Sequence, residues 1–111
     1  MSVSVVAVPD TLRSVAFGSI TNSFTALGTV TSQPTRIFRV INTTDADMFL
    51  SLDGVNSNFI TPKNSFVLYD LCTNREQDGD IFVLPTRTQF YIKYSTAPSL
   101  GSVYLEIIYG R

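Results

Sequence analysis

From Met48 onward, apolar and polar residues alternate in short runs with the two-residue period of a β-strand. Met48, Leu50 and Leu52 share one face of a run that closes at Asp53-Gly54, a dipeptide suited to a tight turn. Phe90, Ile92 and Tyr94 alternate with Gln89, Tyr91 and Lys93. Val103, Leu105, Ile107 and Tyr109 alternate with Tyr104, Glu106 and Ile108. Such alternation predicts strands with one buried face. Arg36 to Ile41 is β-branched and aromatic and ends at Asn42-Thr43-Thr44-Asp45. Ser65 to Leu71 has a different pattern, with Phe66 and Leu68 on one side and Val67, Tyr69 and Leu71 on the other. Two apolar faces predict a central strand covered on both sides, with Phe66 and Leu68 buried as firmly as Val103 and Leu105. Ile81 to Leu84 predicts a short strand stopped by Pro85.

The N-terminal third is less regular. Ser14 to Phe17 and Phe24 to Val30 read as strands broken at Gly18 and Gly28. No stretch carries the 3.6-residue period of an amphipathic helix. The sum is an all-β fold, an antiparallel β-sandwich or jelly roll of about eight short strands. Residues 1–111 are expected to form one domain, with residues 1–10 as a docking arm. The opening apolar run lacks a positive n-region and is ended by Pro9 and Asp10, so it reads as a strand or arm and not as a signal peptide.

Composition narrows the function. Charged residues make up 15% of the 111 positions and the net charge is −1, against about 25% charged in an average soluble domain. A charge-poor surface suits a chain packed against neighbours, although a surface of Ser, Thr and Asn would give the same count. Arg36 and Arg39 are the nearest approach to a basic cluster, so nucleic acid is not an expected partner. No apolar run approaches the roughly 20 residues of a membrane span.

The chain has no histidine and one cysteine, Cys72. A Ser-His-Asp triad, a His-ligated zinc and an all-Cys metal site are therefore excluded, as is an intrachain disulfide. No phosphate-binding glycine loop is present. Cys72 reads as a buried inert thiol, and neither an enzyme nor a cofactor is expected. Asp45, Asp47, Asp53, Asp70, Glu76, Asp78 and Asp80 mostly fall in turn segments, where aspartate bonds the local backbone. Asp78-Gly79-Asp80 and Asp53-Gly54-Val55-Asn56 offer oxygen ligands for calcium, but neither matches the twelve-residue calcium loop. Tyr91, Tyr94, Tyr104 and Tyr109 fall on the last strands. They suit a sugar-stacking platform, cross-strand packing or a subunit contact.

Several segments together carry a resemblance. They are Arg39-Val40-Ile41-Asn42-Thr43-Thr44-Asp45-Ala46-Asp47, Leu50-Ser51-Leu52-Asp53-Gly54-Val55-Asn56, Phe66-Val67-Leu68-Tyr69-Asp70-Leu71, Thr73-Asn74-Arg75, Thr88 to Lys93 and Gly101 to Gly110. Ala16 to Ile20 and Leu27 to Val30 fit the same pattern. The chain resembles small β-sandwich structural proteins of tailed bacteriophages. The resemblance implies a virion component assembled in the host cytoplasm in many copies. Capsid decoration (cement) or a place at the head–neck junction suits one compact domain without a long helix. The partners would be major capsid or neck/tail proteins and further copies of the chain, without nucleic acid or membrane. The expected contact residues are Val3, Val5, Val6 and Val8 of the arm, Asn42, Thr43, Thr44 and Asp45, and Asp53, Val55 and Asn56. The alternative is a tail or receptor-binding module that recognises host surface carbohydrate.

Overall fold

A computed structural model of the chain describes residues 6–71 and 84–110. Nine strands lie among them: β1 (Ala7–Pro9), β2 (Arg13–Ala16), β3 (Thr25–Ala26), β4 (Thr35–Asn42), β5 (Met48–Ser51), β6 (Phe59–Thr61), β7 (Ser65–Asp70), β8 (Tyr91–Tyr94) and β9 (Ser102–Gly110). One sheet has the order β1-β9-β4-β7, with β2 also on β9, and the other has the order β3-β8-β5-β6. Every pairing is antiparallel and the pairings are nested. β5 pairs β6, β4 pairs β7, β3 pairs β8 and β2 pairs β9. Pairing the first strand with the last in this way, split over two sheets, is the jelly-roll arrangement.

β1 and β2 are two halves of one edge. The Asp10 N–H donates to the Ile107 carbonyl at 2.8 Å, while Arg13 stands opposite Leu105. Thr11 and Leu12 therefore share the place opposite Glu106, an extra residue that makes a β-bulge. The segment expected as an arm is thus, over Ala7–Pro9, an edge strand of the chain's own sheet.

The core lies between the sheets. Phe38, Val40, Val103, Leu105 and Ile107 face Met48, Leu50, Phe90 and Ile92, with Ile20 and Leu27 also in the cluster. Phe38 stacks on Tyr69 with centroids 5.0 Å apart and meets Phe90 edge-on at 5.2 Å. Burying each such side chain contributes about 1.5–3 kcal/mol.

The alternations read in β5, β8 and β9 hold, and Val103 and Leu105 are buried as predicted. β7 is a correction. It is the edge strand of its sheet, with Val67 and Tyr69 turned toward the core, while Phe66 is 59% and Leu68 58% exposed. Two apolar faces are also what an edge strand shows when its outer face is left uncovered. The strand expected over Phe24 to Val30 is cut to Thr25–Ala26, the one expected over Ser14 to Phe17 runs Arg13–Ala16, and a 3-10 turn occupies Phe17–Ser19. Leu84 forms a single bridge to Thr35. Val3, Val5, Cys72, the Thr73 to Gly79 loop, Asp80 and the rest of the Ile81 strand lie outside the described residues.

Candidate functional site

Two surfaces gather the side chains with something to offer a partner. The first is the outer face of the five-stranded sheet. The register places Phe66, Ile41 and Tyr104 in one row and Leu68, Arg39 and Glu106 in the next. Phe66 and Leu68 are exposed, and Ile37, Ile41, Tyr104 and Ile108 are half-buried. Arg39 is ion-paired with Glu106, which raises the Arg39 pKa, and its guanidinium lies 5.6 Å from the centre of the Phe66 ring. The charges at the centre of this face are thus matched to each other, and beside that exposed ion pair it presents the apolar side chains of Phe66 and Leu68.

The second surface is a loop end, and its scaffold is Asn42. This buried amide donates to the carbonyls of Ala46, Thr61 and Pro62 at 2.9, 3.0 and 3.2 Å. Its Oδ1 accepts the N–H of Thr44 at 2.9 Å and also the Thr44 hydroxyl. One side chain therefore ties the 43–47 loop to the β6–β7 turn. Gly101 locks the β8–β9 loop to the same place. Its φ is +91°, and a Cβ there would stand 2.4 Å from the Thr43 carbonyl oxygen. Asp45 then receives the Ser99 hydroxyl and the Ser99 N–H, which hold its pKa below the ordinary carboxylate value. Asp47 receives the Lys63 N–H at 2.9 Å. A cleft of about 380 Å³ opens among Asp45, Asp47, Phe49, Lys63, Ser95 and Thr96. A neighbouring cleft of about 360 Å³ shares Phe49 and Ser95 and adds Asn22, Lys93 and Tyr94.

The predicted contact residues are dispersed over this frame. Asn42 and Thr44 are buried and serve the fold, so Thr43 and Asp45 are the members of that group whose side chains face solvent. Asp53 organises its own turn. Its Oδ1 accepts the N–H groups of Asn56 and Val55 at 2.9 Å and the Ser51 hydroxyl at 2.7 Å, and its pKa is driven well down by them. Val55 is 77% exposed at the tip of that turn. Val6 is exposed, and Val8 is half-buried in β1. The four tyrosines do not share a platform. Tyr91 and Tyr94 lie on opposite faces of β8 in one sheet, and Tyr104 and Tyr109 on opposite faces of β9 in the other.

Sequence reasoning missed Arg13. It is only 6% exposed and turns inward beside Leu105. Its guanidinium donates to the carbonyls of Thr29, Thr11 and Val30 at 2.8, 3.0 and 3.2 Å and to the Asp10 carboxylate at 3.3 Å. A lone arginine in an alternating run carries no signal that distinguishes it from a solvated one.

Among the described residues no three Asp, Glu or Cys side chains gather where a metal ion could be held. No helix there is long and apolar enough to cross a membrane. No family model matches the chain, and no curated protein matches it.

Proposed function

We propose that the protein is a non-enzymatic structural subunit of a tailed-phage particle, a capsid decoration or head–neck protein that docks through the outer face of its five-stranded sheet. The observation that carries this reading is the pair Phe66 and Leu68, exposed on the same face of a sheet whose central charges are already paired. Contiguous exposed apolar surface on a small domain marks a contact site. The low charge of the chain supports the same reading. The jelly roll itself recurs in viral capsid and in lectin domains, so it is compatible with this role without deciding it. Each contact would be small, and many copies on one particle would make the binding tight.

The test is re-binding of the purified chain to particles stripped of it, with bound copies located by electron microscopy. Density over the shell or at the neck is expected, together with its loss in Phe66→Asp/Leu68→Asp. Absence of binding by the unaltered chain would overturn the reading.

The loop-end clefts favour a second reading, recognition of surface carbohydrate. Asp45, Asp47, Asn22 and Lys63 surround the half-buried ring of Phe49, a set of hydrogen-bonding groups around an apolar face that suits a sugar ring. Glycan binding abolished by Phe49→Ala but kept by Phe66→Asp would establish it instead.

A further inference from the structure

The two clefts beside Phe49 form one groove over the outer face of the four-stranded sheet, since they share Phe49 and Ser95. Met48 and Leu50 point into the core, so Phe49 points outward, between Ile60 of β6 and Lys93 of β8. The Lys93 ammonium stands 4.7 Å from the centre of the Phe24 ring, on the β3 side of β8. It therefore leans away from β5 and Phe49.

The walls of the groove are fixed by bonds within the chain. One wall is the 43–47 loop with the β6–β7 turn, where Asp45 holds the Ser99 N–H and Asp47 the Lys63 N–H. Opposite, the Tyr94 N–H donates to the Thr21 carbonyl at 3.1 Å and the Thr21 hydroxyl to the Ser23 carbonyl at 2.9 Å, which sets Asn22 in place. The turn after β5 lies on the same face, since a Cβ on Gly54 would meet the Tyr91 ring at 3.4 Å, and it brings Ser57 to the second cleft. A site built before its ligand arrives loses little to ordering on binding. The boundaries of the described residues, at Val6, Leu71, Leu84 and Gly110, lie at the other end of the sandwich, where Leu71 and Leu84 bond Arg36 and Thr35 and Ala7 pairs with Gly110.

Asn42, Asp45 and Asp53 turn their polar atoms to the chain itself. Asn22, Ser57, Lys63, Ser95 and Thr96 are exposed, and among the described residues their side chains make no hydrogen bond. Free donors and acceptors converging on an aromatic ring in a concave site suit a small polyhydroxylated ligand. The charges along the groove cancel, Asp45 and Asp47 against Lys63 and Lys93, so a neutral ligand is favoured over an anionic one.

We infer that the groove binds a neutral oligosaccharide, with one sugar ring in each cleft and Phe49 beneath their junction. This rests on the carbohydrate reading of the clefts and adds to it the length and charge of the ligand. It is independent of the particle reading. Phe66 and Leu68 are on the outer face of the other sheet, so a chain docked there still presents its groove.

The experiment follows the backbone amide shifts of the full chain by NMR during titration with maltotriose, cellotriose, mannotriose and galactotriose, each beside its monosaccharide. Trigalacturonate is the anionic control. A neutral trisaccharide is expected to move amides of both clefts, those of Asn22 and Ser57 as well as Asp47 and Thr96. It should bind about tenfold more tightly than its monosaccharide, the equivalent of one further set of ring contacts. Asn22→Ala and Thr96→Ala, one in each cleft, should each weaken the trisaccharide about fivefold. Neither side chain bonds to the fold, so both variants keep it. Equal affinity for monosaccharide and trisaccharide, shifts confined to one cleft, or a preference for trigalacturonate would overturn the inference and leave carbohydrate recognition standing. No shift at either cleft with any of these sugars would overturn both.

Discussion

The bare Cα of Gly28 faces the aliphatic stem of Arg13 so closely that a Cβ there would stand 2.6 Å from Arg13 Cγ. Gly28 also has a φ of +73°, which favours glycine. The two residues are therefore one device. The glycine makes room, and the arginine fills it and fastens the 29–30 backbone to the bulge at Thr11.

Both halves of that device are predicted to be costly to alter. Gly28→Ala combines backbone strain with a forced move of Arg13, and a loss of about 2 kcal/mol is expected. Arg13→Met keeps the stem but leaves three carbonyls and Asp10 without their donor, at a cost of about 3 kcal/mol. Arg13→Lys should recover little, since one ammonium cannot reach the positions that a planar guanidinium spans. Urea unfolding of the three variants checks this. Near-native stability of Arg13→Met would remove the clamp from the account of the fold.

Asn42 should show the chemistry of its hub through a substitution of the same shape. Asn42→Ala is expected to cost about 3 kcal/mol, because the buried carbonyls of Ala46 and Thr61 and the part-buried one of Pro62 lose a donor. Asn42→Asp should cost more at neutral pH, since a carboxylate oxygen would then face those carbonyls. Protonation restores a donor, so its deficit relative to the unaltered chain at the same pH should shrink on acidification. A deficit independent of pH would mean that packing, not donation, is what Asn42 supplies. The measurement is the urea midpoint of each variant at several pH values.

What could be read in the sequence was periodicity, and periodicity specifies which face a residue takes but not whether that face is covered. β5, β8 and β9 were legible because polar and apolar positions separate cleanly along them. β7 was not, since Phe66 and Leu68 look the same in sequence whether a second layer lies over them or not. Asn42 and Thr44 looked like exposed turn residues because their partners, the carbonyls of Ala46, Thr61 and Pro62, come together only through the β4–β7 and β5–β6 pairings. The loop-end cleft has the same origin. Asp45, Lys63 and Ser95 are far apart in the chain and meet because the nested strand order brings their loops to one end. The Asp53 turn, by contrast, is local, and the Asp53-Gly54 pair signalled the turn, though not that its carboxylate accepts the N–H groups of Val55 and Asn56.

Acid should destabilise the protein in part through Asp53 and Asp45. The N–H groups of Asn56 and Val55 and the Ser51 hydroxyl depress the pKa of Asp53, and Ser99 does the same to Asp45. A carboxyl group whose pKa is depressed in the folded state stabilises the fold above its unfolded pKa, about 3.9, and loses that contribution as pH falls through the folded value. Stability is therefore expected to be level near neutrality and to fall below about pH 4. Asp53→Asn should be less stable than the unaltered chain at pH 6, with the gap closing toward pH 2. A gap that stays constant between those pH values would show that the Asp53 charge is not linked to folding.

The hydroxyl of Thr61 presents the opposite situation to that of Thr44. Both are fully buried, but the Thr44 hydroxyl meets Asn42 Oδ1 and the Ala46 carbonyl, whereas the Thr61 hydroxyl has no hydrogen-bond partner among the described residues. A buried hydroxyl without a partner loses its water and gains nothing in return. Thr61→Val keeps the β-branched shape that suits β6 and replaces the hydroxyl with a methyl, so it is expected to stabilise the protein by about 1 kcal/mol. Thr44→Val, the same chemical change, should destabilise it by about 2 kcal/mol, since it leaves the Asn42 oxygen and the Ala46 N–H poorly satisfied. Thermal unfolding of the two variants side by side reads the contrast in sign. A loss in both would show that Thr61 has a partner that its surroundings do not reveal, and a gain in both would show that the Asn42 hub does not depend on Thr44.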